Sequence, residues 1–241
     1  MSTTTSGHRA GSTTMISEVG DLPLLRLLQL ASPALPIGAY SYSQGLEYAV
    51  EAGWVVDADS TGRWLRGVLA HGQRYLEVPL LARLYDAWIA DDGAAVARWT
   101  ALLLAGRESA ELQAEEQHLG TALARLLVDQ RVAGADAWVQ RRPTSLATLW
   151  SLAAVRWGVP RRSAILGYLW AWAENQSTAA IKLVPLGQSA GQRLLAGLMP
   201  VLVEILEAGL DLPEQQIGAG LPGLALAAGC HEVQYSRLFR S

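Results

Sequence analysis

The sequence predicts an all-α protein, a single-domain helical bundle of about ten helices joined by short loops. Three observations carry this. Beyond residue 20, apolar residues recur at helical spacing, i, i+3, i+4, i+7. No stretch alternates Val or Ile with polar residues, as a half-buried strand would. Pro, Gly and capping residues separate the apolar stripes at short intervals, with no internal repeat and no credible domain linker. A chain of 241 residues that is 51% hydrophobic can bury one large helical core, here assigned to residues 21–241.

Residues 1–20, rich in Ser, Thr and Gly, read as a disordered leader. Arg26 interrupts the first leucine run, so a signal peptide is not expected. Asp21 is placed to cap the first helix, with Pro23 in its first turn, where a missing N–H costs little. Leu24, Leu27, Leu28 and Ala31 make its expected buried stripe. Ser32-Pro33 stops it, because the residue before a proline is pushed out of the helical region. Pro33, Pro36 and Gly38 then hold an extended elbow. Its apolar members, Ala34, Leu35 and Ile37, imply that it is covered. A second helix is expected from near Ser41, which has capping-box spacing to Gln44. Tyr40 and Tyr42 flank that start, and Gly53 ends the helix.

Asp57 opens a longer helix with Trp64, Leu65, Val68 and Leu69 inward. Pro79 marks a new start after a break near residues 75–77, and Leu80, Leu81, Leu84, Tyr85 and Trp88 continue the core. Asp91-Asp92-Gly93 is a turn whose acids suit the N-terminus of the next helix, which carries Val96, Trp99, Leu102 and Leu103. Ser109 precedes a long amphipathic segment with Leu112, Leu119, Leu123, Leu126 and Leu127 inside. Glu111, Glu115 and Glu116 are expected on its solvated side. Residues 132–143 form the longest internal loop. Helices follow from Thr144 to Gly158, from Arg161 to Leu183 and from Leu186 to Ala208, the last kinked or split at Pro200. Gly187, Gly191 and Gly197 are poor helix formers and imply close helix–helix approach or contact with another chain. Leu221 to Arg240 forms the tail.

The totals exclude several function classes. A net charge of −3 and a pI of about 5.8 argue against a nucleic-acid partner. No apolar run reaches the ~18 residues of a membrane span; the closest, Leu194 to Leu206, is broken by Pro200 and Glu204. One cysteine, Cys230, rules out an internal disulfide framework and points to a reducing, cytoplasmic setting. There is no G-x-x-x-x-G-K-[ST] loop for nucleotide hydrolysis. In Cys230-His231-Glu232 adjacent side chains diverge, and Tyr235 stands where a zinc-protease helix would carry its second histidine. His71 and His118 are isolated. No catalytic residue, metal site or tightly bound cofactor is therefore assigned; only a weak, transient nickel contact at Cys230 or His231 stays open. The rival is a helical enzyme or small-ligand-binding protein with its site among Trp64, Trp88, Trp150, Trp170 and Trp172.

Two segments suggest contact chemistry. Glu174-Asn175-Gln176 interrupts an apolar helix, and a buried acid needs partners. Lys182 lies about two turns further on. The pattern fits either an internal polar network or a docking face. Tyr235-Ser236-Arg237-Leu238-Phe239-Arg240 joins two arginines to the only phenylalanine of the chain. Tyr and Arg dominate interface hot spots, and so short a segment holds no helix alone. Burying Leu238 and Phe239 against a partner could supply roughly 1.5–3 kcal/mol each. The alternative is that the tail packs on its own domain.

Three segments together resemble one family. Ser32-Pro33-Ala34-Leu35-Pro36-Ile37-Gly38-Ala39-Tyr40-Ser41-Tyr42-Ser43-Gln44-Gly45-Leu46-Glu47 is similar to the N-terminal signature of urease accessory protein F. Glu174-Asn175-Gln176 with the run from Ile181 through Lys182 to Gln188, then Gly191-Gln192, matches a second segment. His231 to Ser241 matches the third. The resemblance implies an all-α, non-catalytic adaptor in urease maturation that dimerises. It implies binding to accessory protein D (H in some lineages), recruitment of the GTPase accessory protein G, and action on apo-urease. Nickel would be handled by the complex, with a possible role in the GTPase cycle of protein G. On this basis Tyr235, Ser236, Arg237, Leu238, Phe239 and Arg240 are expected to bind protein D. Pro36, Gly38, Tyr40, Tyr42, Glu174, Lys182 and Gln188 are expected to shape a dimer or G-facing surface.

Overall fold

The computed structural model describes residues 20–218 and 220–241; the leader expected at residues 1–20 lies outside these, Gly20 apart. Among the described residues there are ten α-helices and no strand, as the apolar periodicity predicts. They are α1 (Asp21–Ala31), α2 (Leu46–Glu51), α3 (Ala58–Val68), α4 (Glu77–Ile89), α5 (Gly93–Ala105), α6 (Ala110–Asp129), α7 (Leu146–Arg156), α8 (Arg161–Leu183), α9 (Gln188–Gly209) and α10 (Pro222–His231). Helix α4 packs against α5, α7, α8 and α9; α8 lies along α9, and α1 lies on α8. Helix α10 covers α2 and α6. One apolar cluster runs through these helices from Leu30 to Phe239.

Side-chain caps account for four of the ten helix starts. The Asp57 carboxylate accepts from the Ser60 amide, and the Ser60 hydroxyl accepts from the Asp57 amide, a reciprocal capping box. The side chains of Asp92, Ser109 and Ser145 accept from amides in the first turns of α5, α6 and α7. Between α3 and α4, residues Leu69–Gln73 wind as a π-helix, and α4 begins two residues before Pro79. Helix α9 runs unbroken through Pro200, so it is not split there. A β-carbon on Gly191 would sit 2.3 Å from Ile181 Cδ1. A larger residue there would have to push the Ile181 side chain aside, so Gly191 suits the close approach of α9 to α8; Gly187 and Gly197 meet no such crowding.

Helix α9 is long and apolar enough to span a membrane by length and composition, contrary to the apolar-run count. Its inner face (Leu194, Leu195, Leu198, Leu202, Ile205 and Leu206) is buried in the core, mainly along α8. Tryptophans tie helices together through their N–H groups, which burial requires to be paired. Trp88 Nε1 donates to the Thr148 carbonyl (3.0 Å) and Trp150 Nε1 to the Ala164 carbonyl (2.9 Å).

Four local expectations are corrected. Leu24 and Leu28 of α1 are exposed, together with Leu22 and Leu25; Leu30 is the buried residue and Leu27 packs beside it. Leucine occupies nearly every side of this helix, so periodicity did not select the face that α8 takes. The cap before α1 is Gly20, not Asp21. The elbow is covered only in part: Leu35 and Ile37 pack against the core as expected, while Pro33, Ala34, Pro36 and Tyr40 are exposed. Helix α2 starts at Leu46 behind Gly45 rather than near Ser41, because Ser41 belongs to a short 3-10 turn and the Gln44 side chain is engaged elsewhere.

Candidate functional site

The elbow, the outer ends of α2 and α6, the middle of α8 and the segment 231–241 converge on one side of the molecule. Glu47 of α2 is the hub. Its carboxylate accepts from the Leu238 amide (2.6 Å), the Phe239 amide (2.9 Å) and His231 Nε2 (3.1 Å). His231 is fully buried, and its Nδ1 faces Glu111 of α6 at 2.7 Å. With a carboxylate on each ring nitrogen, the imidazolium form can donate to both. Arg237 also reaches Glu111 (2.6 Å). Glu232 accepts from the Ala110 and Glu111 amides, so the chain end helps cap α6.

The last residues continue this docking. The Arg240 amide donates to the Ser41 carbonyl (2.8 Å), and the Ser43 and Gln44 amides donate to the Ser241 backbone oxygen (2.6 and 3.0 Å). Phe239 is only 6% exposed, and Lys182 Nζ lies 5.5 Å from its ring centroid, a cation–π contact. Phe239 therefore needs no partner for burial, which corrects the expectation for that side chain. Leu238 is 65% exposed and Tyr235 fully exposed; Ser236, Arg237 and Arg240 also face solvent. The result is a backbone pinned by charged acceptors with its apolar and aromatic groups turned outward.

The other expected residues divide. Asn175 donates to the Tyr42 carbonyl (3.1 Å), which joins α8 to the elbow, and Tyr42 is buried. Gly38 adopts φ 82°, a left-handed turn that glycine tolerates and that aims Tyr40 outward. Glu174 is half-buried beside the same cavity as Tyr40, and burial raises its carboxyl above the usual range. It does not pair with Lys182, which turns to Phe239 instead. Gln188 is the exposed first residue of α9 and makes no hydrogen bond to this cluster. Pro36 is exposed on the elbow. His231 cannot offer a free nitrogen to nickel in this arrangement.

The acids of α6 overturn their expected place. Glu115 and Glu116 are each 5% exposed. Glu116 pairs with Arg107, which also pairs with Glu77 at the start of α4, and Glu116 accepts from the Leu146 amide that begins α7. Burial pulls the Arg107 guanidinium down, but the two carboxylates outweigh it and hold it well above its ordinary value. Glu115 accepts from Gln44 Nε2 (2.7 Å) and the Ser241 hydroxyl (2.8 Å). Gln44 in turn accepts from Trp172 Nε1 (2.7 Å). Burial pushes the Glu115 carboxyl from 4.5 up to about 7, against the opposing pull of those two hydrogen bonds.

That shift makes a prediction with a definite sign. The folded state binds the Glu115 proton more tightly than the unfolded chain does, so this group's contribution falls as pH rises from about 4.5 to about 7. At higher pH the loss is on the order of 3 kcal/mol. Glu115→Gln keeps an acceptor for Gln44 and a donor for Ser241 without the charge. In urea denaturation the variant should gain on the wild type between about pH 5 and about pH 8. A gap independent of pH would refute the assignment.

A cavity of about 110 Å³ lies under the elbow, lined by Leu35, Ile37, Glu115, Trp150, Trp172 and Glu174 among others. It could hold a few waters but is well below the ~300 Å³ at which small-molecule sites begin. Of the five tryptophans of the rival reading, Trp150 and Trp172 line it and Trp64, Trp88 and Trp170 do not. Trp88 pairs with Trp138, and Trp64 with Trp54 in a separate groove.

The family model described as UreF matches residues 55–199. The chain is 54% identical over 216 residues to the urease accessory protein UreF of Alkalilimnicola ehrlichii, covering 90% of this chain and 95% of that one. The chain belongs to the UreF family. Similar UreF proteins from Hahella chejuensis (49% identical; 91% and 99% covered) and Pseudomonas putida strain W619 (52%; 92% and 99%) extend the likeness beyond the matched core. In this UreF-family chain the convergence of elbow, α8 and chain end brings together the three segments on which the resemblance rests. Sequence reasoning missed Glu47, Glu111 and Glu115 as members of the site. For Glu47 and Glu115 the signal was the lack of an Arg or Lys three or four residues away to pair them.

Proposed function

We propose that this chain is a non-catalytic adaptor in urease maturation, assisting nickel insertion into apo-urease. It bridges accessory protein D (H) and the GTPase accessory protein G, works as a homodimer within the assembly, and bears on the GTPase cycle through that contact. The setting is the cytoplasm, and nickel is handled by the complex rather than held by a resident site in this chain. The observation that carries the reading is the pinned segment 235–240. Its backbone is fixed by Glu47 and Ser41, while Tyr235 and Leu238 project into solvent. A preordered apolar surface binds without first losing the freedom of a loose tail. The elbow, with Tyr40 exposed beside it, and Lys182 extend this face.

The bridging role has a direct test. Immobilised protein D should retain protein G when this chain is present and lose it when the chain is left out. Equal retention of protein G in both cases would sink the bridging role.

A further inference from the structure

The elbow and α6 enclose a second cleft, of about 370 Å³, lined by residues that include Tyr42, His118, Thr121, Arg125, Arg142 and Arg240. Four separate stretches of chain supply them. His118, Thr121 and Arg125 fall at i, i+3 and i+7 on one face of α6. Arg142 comes from the loop before α7 and is steadied by Thr121 Oγ1 (2.9 Å). Arg240 is fixed through its backbone bond to Ser41, with buried Phe239 and Ser241 on either side. Tyr42 Oη lies 3.5 Å from His118 Nδ1.

Among the described residues, no carboxylate side chain lines this cleft. Elsewhere Arg98, Arg107, Arg156, Arg161, Arg162 and Arg237 each have an acidic partner. Among the described residues, Arg125, Arg142 and Arg240 have none; other arginines, such as Arg66 and Arg193, share that lack, but these three line one cleft. Three guanidiniums facing one concavity repel one another, and a cleft lined by one sign of charge concentrates counter-ions. A single carboxylate is satisfied by one bidentate guanidinium. Three guanidinium forks, with a phenol and an imidazole beside them, suit a multiply charged tetrahedral anion with several acceptor oxygens.

We propose that this cleft is a phosphate-binding site, taking inorganic phosphate or the phosphates of a larger ligand. It goes beyond the adaptor reading and does not depend on it. The test is calorimetric titration of the full chain with inorganic phosphate and with pyrophosphate at low ionic strength, against acetate at matched ionic strength. Both phosphates should bind. Preference for pyrophosphate would indicate a polyphosphate ligand, and parity the free ion. Removing two guanidiniums by Arg125→Gln with Arg142→Gln should weaken binding about a hundredfold. Arg125→Gln alone, whose side chain bonds to no described residue, should weaken it about tenfold with helical content unchanged. Phosphate binding no stronger than acetate, or binding unchanged in the folded Arg125→Gln variant, would overturn the proposal. So would preference for a glutamate-rich peptide over both phosphates.

Discussion

Replacing Arg107 with methionine should destabilise the fold by about 3–5 kcal/mol, as removal of one partner from a buried ion pair does. Arg107 is the one cation between Glu77 and Glu116, both nearly inaccessible. Its loss strands two carboxylates that tie α4, α6 and the start of α7. Against a total stability of about 5–15 kcal/mol for a folded domain, this is enough to leave a large unfolded fraction. The triad itself is weaker evidence for net stabilisation, because taking three charges out of water offsets much of their attraction. Adding Glu77→Gln and Glu116→Gln to Arg107→Met should therefore restore most of the loss. Urea denaturation followed by far-UV circular dichroism reads both effects. An Arg107→Met midpoint equal to wild type would show that the triad is not the tie described.

Helix boundaries were legible where one residue determines them. Asp57, Asp92 and Ser109 each cap a helix through bonds made within four residues, and Val184-Pro185 ends α8. What escaped the sequence depends on partners far along the chain. Glu111, Glu115 and Glu116 look like a solvated face until Arg237, Ser241 and Arg107 are set against them. His231 reads in sequence as at most a weak, transient nickel contact, yet Glu47, 184 residues away, lies 3.1 Å from it. The family segments converge on one side of the structure, but their sequence does not say which side chains face outward. Phe239 and Leu238 are neighbours of similar apolarity; with both amides held by Glu47, Phe239 turns into the core and Leu238 out to solvent.

That division changes how the adaptor reading is best tested. Cutting the chain after Gln234 would remove Phe239 from the core and Ser241 from Glu115, so lost binding could follow from a loosened fold. Tyr235→Ala with Leu238→Ala leaves Glu47, His231 and Phe239 in place and removes only the outward groups. Two central apolar or aromatic contacts are worth about 2 kcal/mol or more when truncated at an interface, so the affinity of the pair for protein D should fall about a hundredfold or more.

The decisive measurement is the dissociation constant for accessory protein D of wild type and of this double variant, with melting temperatures recorded alongside. The account predicts a loss of about two orders of magnitude at an unchanged melting temperature. Undiminished affinity in a variant that melts like the wild type would contradict it.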